Sequence, residues 1–323
     1  MPECTYLYAH IILNVRNYMQ AMELVCAPEN FLPVAPSATA VGSHCLGPLL
    51  GPRVRYRPAY LYLPYSAAVA SARSSLKTTT HNISAYSARQ LDALGLQLAP
   101  LQHQVFTGVS YAEFRRYVLY SPAWRTWLWV RRTPAGQPIG YLALHAFQKR
   151  LVSRQCIVFR METGKLPAYR GKDLLLLRAI GRMIWVGLRY PAQASYFFAT
   201  PVYPTPYALV AKYSSTIWPS RAHDTPPDKQ QLLLELATDF GLPLLDPARP
   251  LIRRVSWITR DEAQGAPAWS ARRNPHVAYF LQLNPDYARG FGLLTLAPTG
   301  AGALLGSFLR YGWSKMRRML PFH

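Results

Sequence analysis

Acidic residues are scarce in this chain. It holds 15 Asp and Glu against 36 Lys and Arg, a formal charge of +21 over 323 residues. A field of that sign and size favours polyanions: nucleic acid, anionic lipid headgroups, phosphorylated cofactors or acidic carrier proteins. A plain arginine-rich coding bias gives the same count with no polyanion partner. Cysteine is scarce too. The four cysteines, Cys4, Cys26, Cys45 and Cys156, form no CxxC pair, which excludes a disulfide framework and a zinc site and fits a reducing, cytoplasmic setting. Cys156 lies beside an apolar run and reads as a buried, inert thiol. No apolar run reaches the ~18 residues that a membrane span needs. The short apolar stretch from Ala9 to Leu13 has no basic segment ahead of it, so no signal peptide is expected. The sequence also lacks HExxH and Gly-x-Ser-x-Gly, and Gly171-Lys172 is followed by Asp173 rather than Ser or Thr, so zinc hydrolase, nucleophile-elbow and P-loop chemistries are set aside.

What is present is a chain that is 50% hydrophobic, enough for a sizeable core. Its composition divides it at about residues 1–77, 78–265 and 266–323. The first segment is rich in Pro, Ala, Ser and Gly without a sustained period and reads as an extension or linker. Its interleaved Arg53, Arg55, Tyr56, Arg57, Tyr60 and Tyr62 suit single-stranded nucleic acid by charge and stacking, or are a plain tail. Ordered structure is expected from Asn82, with a helix from Ser84 to Leu94 closed by Gly95. Ser110-Tyr-Ala-Glu113 is a capping box, in which serine and glutamate satisfy each other's free N–H groups, and opens a helix to about Tyr120. Arg125 to Arg132 and Ile139 to Phe147 read as an antiparallel hairpin around Thr133–Pro138, and Gln155 to Met161 as a third strand. Ser195 to Thr200 is a fourth. Thr205-Pro206 reads as cap and first residue of a helix, and Asp228 to Phe240 as a helix closed by Gly241. Arg254 to Thr259, Val277 to Leu283 and Phe291 to Leu296 read as strands. The tail from Ala301 to Leu320 ends in Lys315, Arg317 and Arg318. It suits an interfacial helix on an anionic membrane, peripheral to the bilayer, or a helix packed on the core whose basic end meets the negative end of its dipole.

The centre of the chain is Ile157 to Tyr190. An apolar strand passes into a loop with Gly164 and Pro167, Glu162 being the only acid of strand and loop, and then into the basic turn Tyr169-Arg170-Gly171-Lys172-Asp173, and a leucine-rich helix follows. Asp173 is placed to cap that helix. Strand, basic turn and helix N-terminus gather main-chain N–H groups and positive charge at one spot, where an anion is held.

This order resembles the acyl-CoA-binding motif of the GNAT-type N-acyltransferase superfamily, Arg/Gln-x-x-Gly-x-Gly/Ala, with Arg170 at the first position and Asp173 and Leu175 where the small residues stand. The resemblance covers about half the chain. It implies an α/β fold, a GNAT-like mixed, mostly antiparallel sheet flanked by helices, with N- and C-terminal extensions. It implies acyl transfer from acyl-CoA, acetyl-CoA among the donors, to a small-molecule or protein amine, without a metal. Arg170, Gly171, Lys172 and Asp173 would cradle the donor phosphates, Glu162 would act as base and Tyr213 as acid. The residues replacing the glycines leave room for an acyl carrier protein as donor, which the basic surface suits. The residues alone allow other roles: Glu162 paired with Arg160 or Lys165, Tyr213 as packing, and the basic turn as a solvated loop. His145, on a strand, reads as a hydrogen-bonded structural histidine. A non-catalytic GNAT-like protein and a basic nucleic-acid or membrane-surface binder are the other readings of the whole chain.

Overall fold

The computed structural model describes residues 76–323 except 152–153, 171–173, 256, 261–273 and 320–323; in the last helix, side chains are described from residue 302 to residue 314. The first seventy-five residues, with the extension and its Arg/Tyr interleaving, lie outside the described residues.

A six-stranded sheet forms the middle of this unit. Its strands are β1 (Lys77–Asn82), β3 (Arg125–Arg132), β4 (Pro138–Leu151), β5 (Arg154–Lys165), β6 (Ala194–Ala199) and β10 (Thr295–Pro298), adjacent in that order. Every neighbouring pair is antiparallel except β5 and β6, which run parallel. The α/β class and the mostly antiparallel sheet expected from the sequence are observed. The first strand lies upstream of the expected starting point at Asn82. Its KTTTHN sequence has no apolar residue, but an edge strand with β-branched threonines pairs through its backbone without a hydrophobic face.

Helix α1 (Ala88–Val105) is opened by a capping box between Ser87 and Gln90 and runs well past Gly95, the expected stop. Leu91, Leu94, Leu98, Leu101 and Val105 recur at helical spacing and are buried, and that burial carries the helix through Gly95 and Pro100. Gly95 serves a close approach instead. A Cβ there would lie 2.7 Å from the Tyr111 hydroxyl and 3.0 Å from Leu119 Cδ1. Those residues belong to α2 (Tyr111–Phe114) and the wider π turn, Arg115–Leu119, that continues it. The Ser110–Glu113 capping box is formed.

Helix α3 (Leu175–Arg189) begins behind Leu174, which makes no side-chain cap; Asp173, the expected cap, lies outside the described residues. Helix α4 (Pro204–Tyr213) starts one residue ahead of Thr205, which is exposed in the first turn rather than capping it. Helix α5 (Pro227–Asp239) ends at Gly241, whose φ of +63° is the left-handed value glycine adopts readily. The stretch expected as a strand at Val277–Leu283 is helix α6 (Pro275–Leu283). Asn274 accepts from the His276 N–H and Pro275 takes the first helical position, and these start signals outweigh the β-prone Val, Tyr and Phe that follow. Short strands complete the unit: β2 (Phe106–Thr107) pairs with β8 (Ile258–Thr259), and β7 (Ile252–Arg254) with β9 (Phe291–Leu293).

The sheet is covered on both faces. On one, Trp127, Trp129, Leu142, Leu144, Ile157, Phe159 and Phe197 pack against Leu175, Ala179, Ile180 and Met183 of α3. The last helix, α7 (Ala301–Met319), adds Leu304 and Phe308 to that layer, so the tail is a helix packed on the core. On the other face are two separate apolar clusters. Leu128, Val130, Tyr141 and Ala143 meet α1 and α2, while Phe147, Val158 and Phe198 meet Leu232, Leu233 and Leu236 of α5.

Candidate active site

The gap between those two clusters is polar, and strand register explains it. Side chains on one face of a sheet alternate along each strand, so the residues sharing this face with Tyr141, Ala143 and Phe147 are set by the pairing. Thr126 lies across from His145, His145 from Arg160, and Ala143 from Glu162. Thr126, His145, Arg160 and Glu162 therefore form a strip on the face opposite α3.

The strip is connected at one end and open at the other. His145 is buried, and its Nδ1 lies 2.9 Å from Thr126 Oγ1. Burial, with a smaller push from Arg160, lowers its pKa to about 3, so the ring is neutral at ordinary pH. This agrees with a structural histidine, although Nε2 has no hydrogen-bond partner among the described residues. The Arg160 guanidinium lies 4.7 Å from the Phe240 ring centroid and 3.5 Å from Glu162 Oε1. Glu162 is thus paired with Arg160, one of the two partners considered from the sequence. Its side chain keeps 24% of its surface accessible. Burial raises its carboxyl above the usual range, and Arg160 only partly opposes this. Next to it, the Tyr141 hydroxyl is fully buried without a partner among the described residues, and burial together with the Glu162 charge pushes its pKa well up.

Gly164 lets this arrangement close. A Cβ at that position would lie 2.6 Å from Tyr141 Cε1 and 2.9 Å from Phe106 Cε2, both atoms of rings held in the core. No side chain fits there without displacing the ring beside Glu162.

The strand pair alongside the strip parts at the same level. β5 and β6 are in register from Cys156↔Ala194 to Phe159↔Phe197 and no further. From Arg160 to Lys165, the ladder pairing of β5 among the described residues is with β4. Cys156, at the start of the paired stretch, is buried, and burial raises its thiol to about 11, as an inert core thiol requires.

Beyond β5 the chain makes a 3-10 turn at Pro167–Tyr169, and Arg170 follows, exposed, its Nε donating to the Lys165 carbonyl at 3.4 Å. Gly171, Lys172 and Asp173 of the expected cradle lie outside the described residues. Tyr213, the last residue of α4, donates its hydroxyl to Ser314 Oγ of α7 at 2.7 Å and meets the Tyr311 ring edge-on at 5.1 Å. Its main-chain oxygen accepts from Arg310 at 2.8 Å. The described contacts therefore join Glu162 to Arg160 and tie Tyr213 to the last helix. Among the described residues, no group of three His, Cys, Asp or Glu side chains could hold a metal ion.

No family model and no curated protein matches this chain. Solved structures do. The chain is similar to a conserved protein of Enterococcus faecalis V583 described as a probable N-acyltransferase, with 11% identity over 43% of this chain and 32% of that one, at a TM-score of 0.28. It therefore spans about a third of that protein's length. It is also similar to NAA60 of Arabidopsis thaliana in complex with acetyl-CoA (13% identity, 38% of this chain, 76% of that one, TM-score 0.26), and to a Trypanosoma brucei acetyltransferase (16% identity, 46% of this chain, 96% of that one, TM-score 0.27).

The sequence points to Glu162 and offers Arg160 as a partner, but not the rest of its surroundings. Thr126, Tyr141, His145 and Phe240 are far from it in the chain. The only available signal was the two-residue spacing of Tyr141, Ala143 and His145 and of Arg160, Glu162 and Gly164, and this becomes a site only once the β4–β5 register is known.

Proposed function

We propose that this chain is a GNAT-like N-acyltransferase that moves an acyl group from a thioester donor to an amine. One observation carries the reading: a partly accessible carboxylate with a raised pKa, Glu162, stands where β5 has left β6. A general base needs a pKa brought toward the operating pH and access to the proton it removes. From Arg160 to Gly164, where β5 has no ladder partner on the β6 side among the described residues, a strand edge would offer backbone N–H and C=O groups to an extended ligand, and the pantetheine arm of acyl-CoA carries amides that suit it. Arg170 follows the same strand, and Gly171, Lys172 and Asp173, next in the sequence and ahead of α3, would with it hold the donor phosphates.

When bound, the donor supplies the thioester carbonyl. Glu162 takes a proton from the amine as its nitrogen forms a bond to that carbon. The carbon–sulfur bond breaks, and Tyr213 gives its phenolic proton to the departing thiolate. For that step the Tyr213 hydroxyl must first leave Ser314 Oγ. The +21 charge also suits an acidic carrier protein as donor.

Thermal unfolding of the full chain with CoA, acetyl-CoA and a long-chain acyl-CoA at two salt concentrations tests the donor. A ligand bound only by the folded state raises the midpoint, by about 2.7 kcal/mol of stability at a hundredfold excess over Kd. We expect a rise that depends on the acyl chain and survives salt. No rise with any thioester, and none with an acyl carrier protein, would leave a non-catalytic relative of the fold.

A second reading is favoured by the outer face of α7. Leu309 and Trp313, four residues apart and therefore neighbours on one helix face, are 60% and 54% exposed in a strongly basic chain. Exposed Trp and Leu beside cations suit an anionic lipid surface. Co-sedimentation should then occur with vesicles containing phosphatidylserine and not with neutral ones, and should be lost in the Leu309→Ser, Trp313→Ser double variant. Equal recovery of variant and parent would rule this surface out.

A further inference from the structure

Arg253 is the middle residue of β7 and is buried, with 5% of its surface exposed. Its Nε and Nη1 have no hydrogen-bond partner among the described residues, and no described carboxylate pairs with it. Asp246 and Asp286 pair with the exposed Arg249, at 3.1 and 3.0 Å. Gly292 of β9 lies directly across the ladder from Arg253. A Cβ on Gly292 would lie 2.7 Å from Thr200 Cγ2, 2.7 Å from Val255 Cγ2 and 2.8 Å from the Thr200 carbonyl oxygen, so Thr200 abuts the same point. The Thr200 hydroxyl is also buried without a partner among the described residues. Backbone bonds hold the frame, from the Leu293 N–H to the Pro201 carbonyl at 3.1 Å and from the Val255 N–H to the Gly290 carbonyl at 3.0 Å.

Keeping guanidinium N–H groups buried without a partner is costly. Thr200, whose hydroxyl is unused, reaches the glycine opposite Arg253 in the ladder, and its methyl and carbonyl, with the Val255 methyl, occupy the place a side chain there would take. The chain is short of acids, so an external anion is the natural complement. The planar fork of arginine matches two oxygens of a carboxylate or phosphate, and threonine can donate to a further one.

We propose that Arg253 and Thr200 form a binding site for the oxyanion group, carboxylate or phosphate, of a small molecule. Thr200 directly follows β6, and it lies three residues past the last β5–β6 pair, as Glu162 does on β5. The site is therefore at the carboxyl end of the parting strands, and its anion-binding property stands independently of the acyl-transfer reading.

The test is thermal unfolding of the full chain and of Arg253→Met, in chloride buffer and with phosphate or acetate added at matched ionic strength. Replacing an unpaired buried charge by an apolar residue of similar length is stabilising, so in chloride the variant should melt higher than the parent, by about 2–8 °C. Phosphate or acetate should then raise the parent more than the variant and narrow the gap, and the more effective anion identifies the group. A variant that melts lower in every buffer would show that Arg253 has a structural partner. Equal anion-dependent rises in both proteins would show surface binding by a basic chain. Either result overturns the proposal. Should Arg253→Met not fold, Thr200→Val decides: a reduced anion-dependent rise supports the site and an unchanged one overturns it.

Discussion

Glu162→Gln is expected to lower acyl transfer by about 10²–10⁴-fold, the range of a general base removed from its proton, while leaving the protein folded and no less stable at neutral pH. The stability sign follows from linkage. The folded-state pKa of Glu162 is raised above its unfolded value, so the native state holds the extra proton between the two. Stability falls as pH rises through that window and stays reduced above it. Glutamine has no charge to bury, so the variant escapes that loss. Rate should also rise with pH in the parent as Glu162 deprotonates, and this acid limb should vanish in the variant. Steady-state rates with a thioester donor, together with melting curves across pH, separate the roles. A variant that keeps its rate within a few-fold but melts lower would make Glu162 only the partner of Arg160.

Phe114→Ala should cost about 3–5 kcal/mol, the range for removing a fully buried aromatic ring, or a midpoint lowered by about 6–20 °C for a unit of this size. Phe114 is fully buried, stacked on Tyr111 with centroids 6.2 Å apart and edge-on to Tyr141 at 5.8 Å. Few other rings are so enclosed, and little around this one can collapse: Gly95 and Gly164 already bring their neighbours to the limit of contact. The effect should reach the strip as well. With the wall behind Tyr141 gone, water gains access toward Glu162, and the acid limb of any activity moves to lower pH. A loss under about 1 kcal/mol in denaturant unfolding would mean that this cluster repacks freely and that the tight approach beside Tyr141 is not what shapes the site.

Local patterns suffice where local physics decides. RTWLWVRR is legible as a strand because its apolar, aromatic residues fit a buried sheet position, and Ser110 with Glu113 as a helix start because the two groups bond within one turn. Gly241 ended its helix because its left-handed φ needs no neighbour to explain it. The failures lie where distant residues decide. Gly95 looked like a stop but is a contact with Tyr111, which only the packing of α2 on α1 creates. HVAYFLQL suits strand or helix by composition, and the cap just upstream chose helix. KTTTHN became a strand only because β3 offered it an edge.

The same division runs through the site. The sequence by itself determined the basic charge, the alternation along the strands around Glu162 and the acid's place a few residues ahead of the basic Arg170 and Lys172, since each is a property of neighbours in the chain. Only the tertiary structure decided that His145 faces Arg160, that Glu162 lies in a polar gap between two apolar clusters, that Tyr213 is bonded to Ser314, and that Arg253 is buried with two of its guanidinium nitrogens unpartnered among the described residues. Those facts depend on strand register and on which surfaces exclude water. A register shift of one residue would turn every one of these strand side chains to the other face.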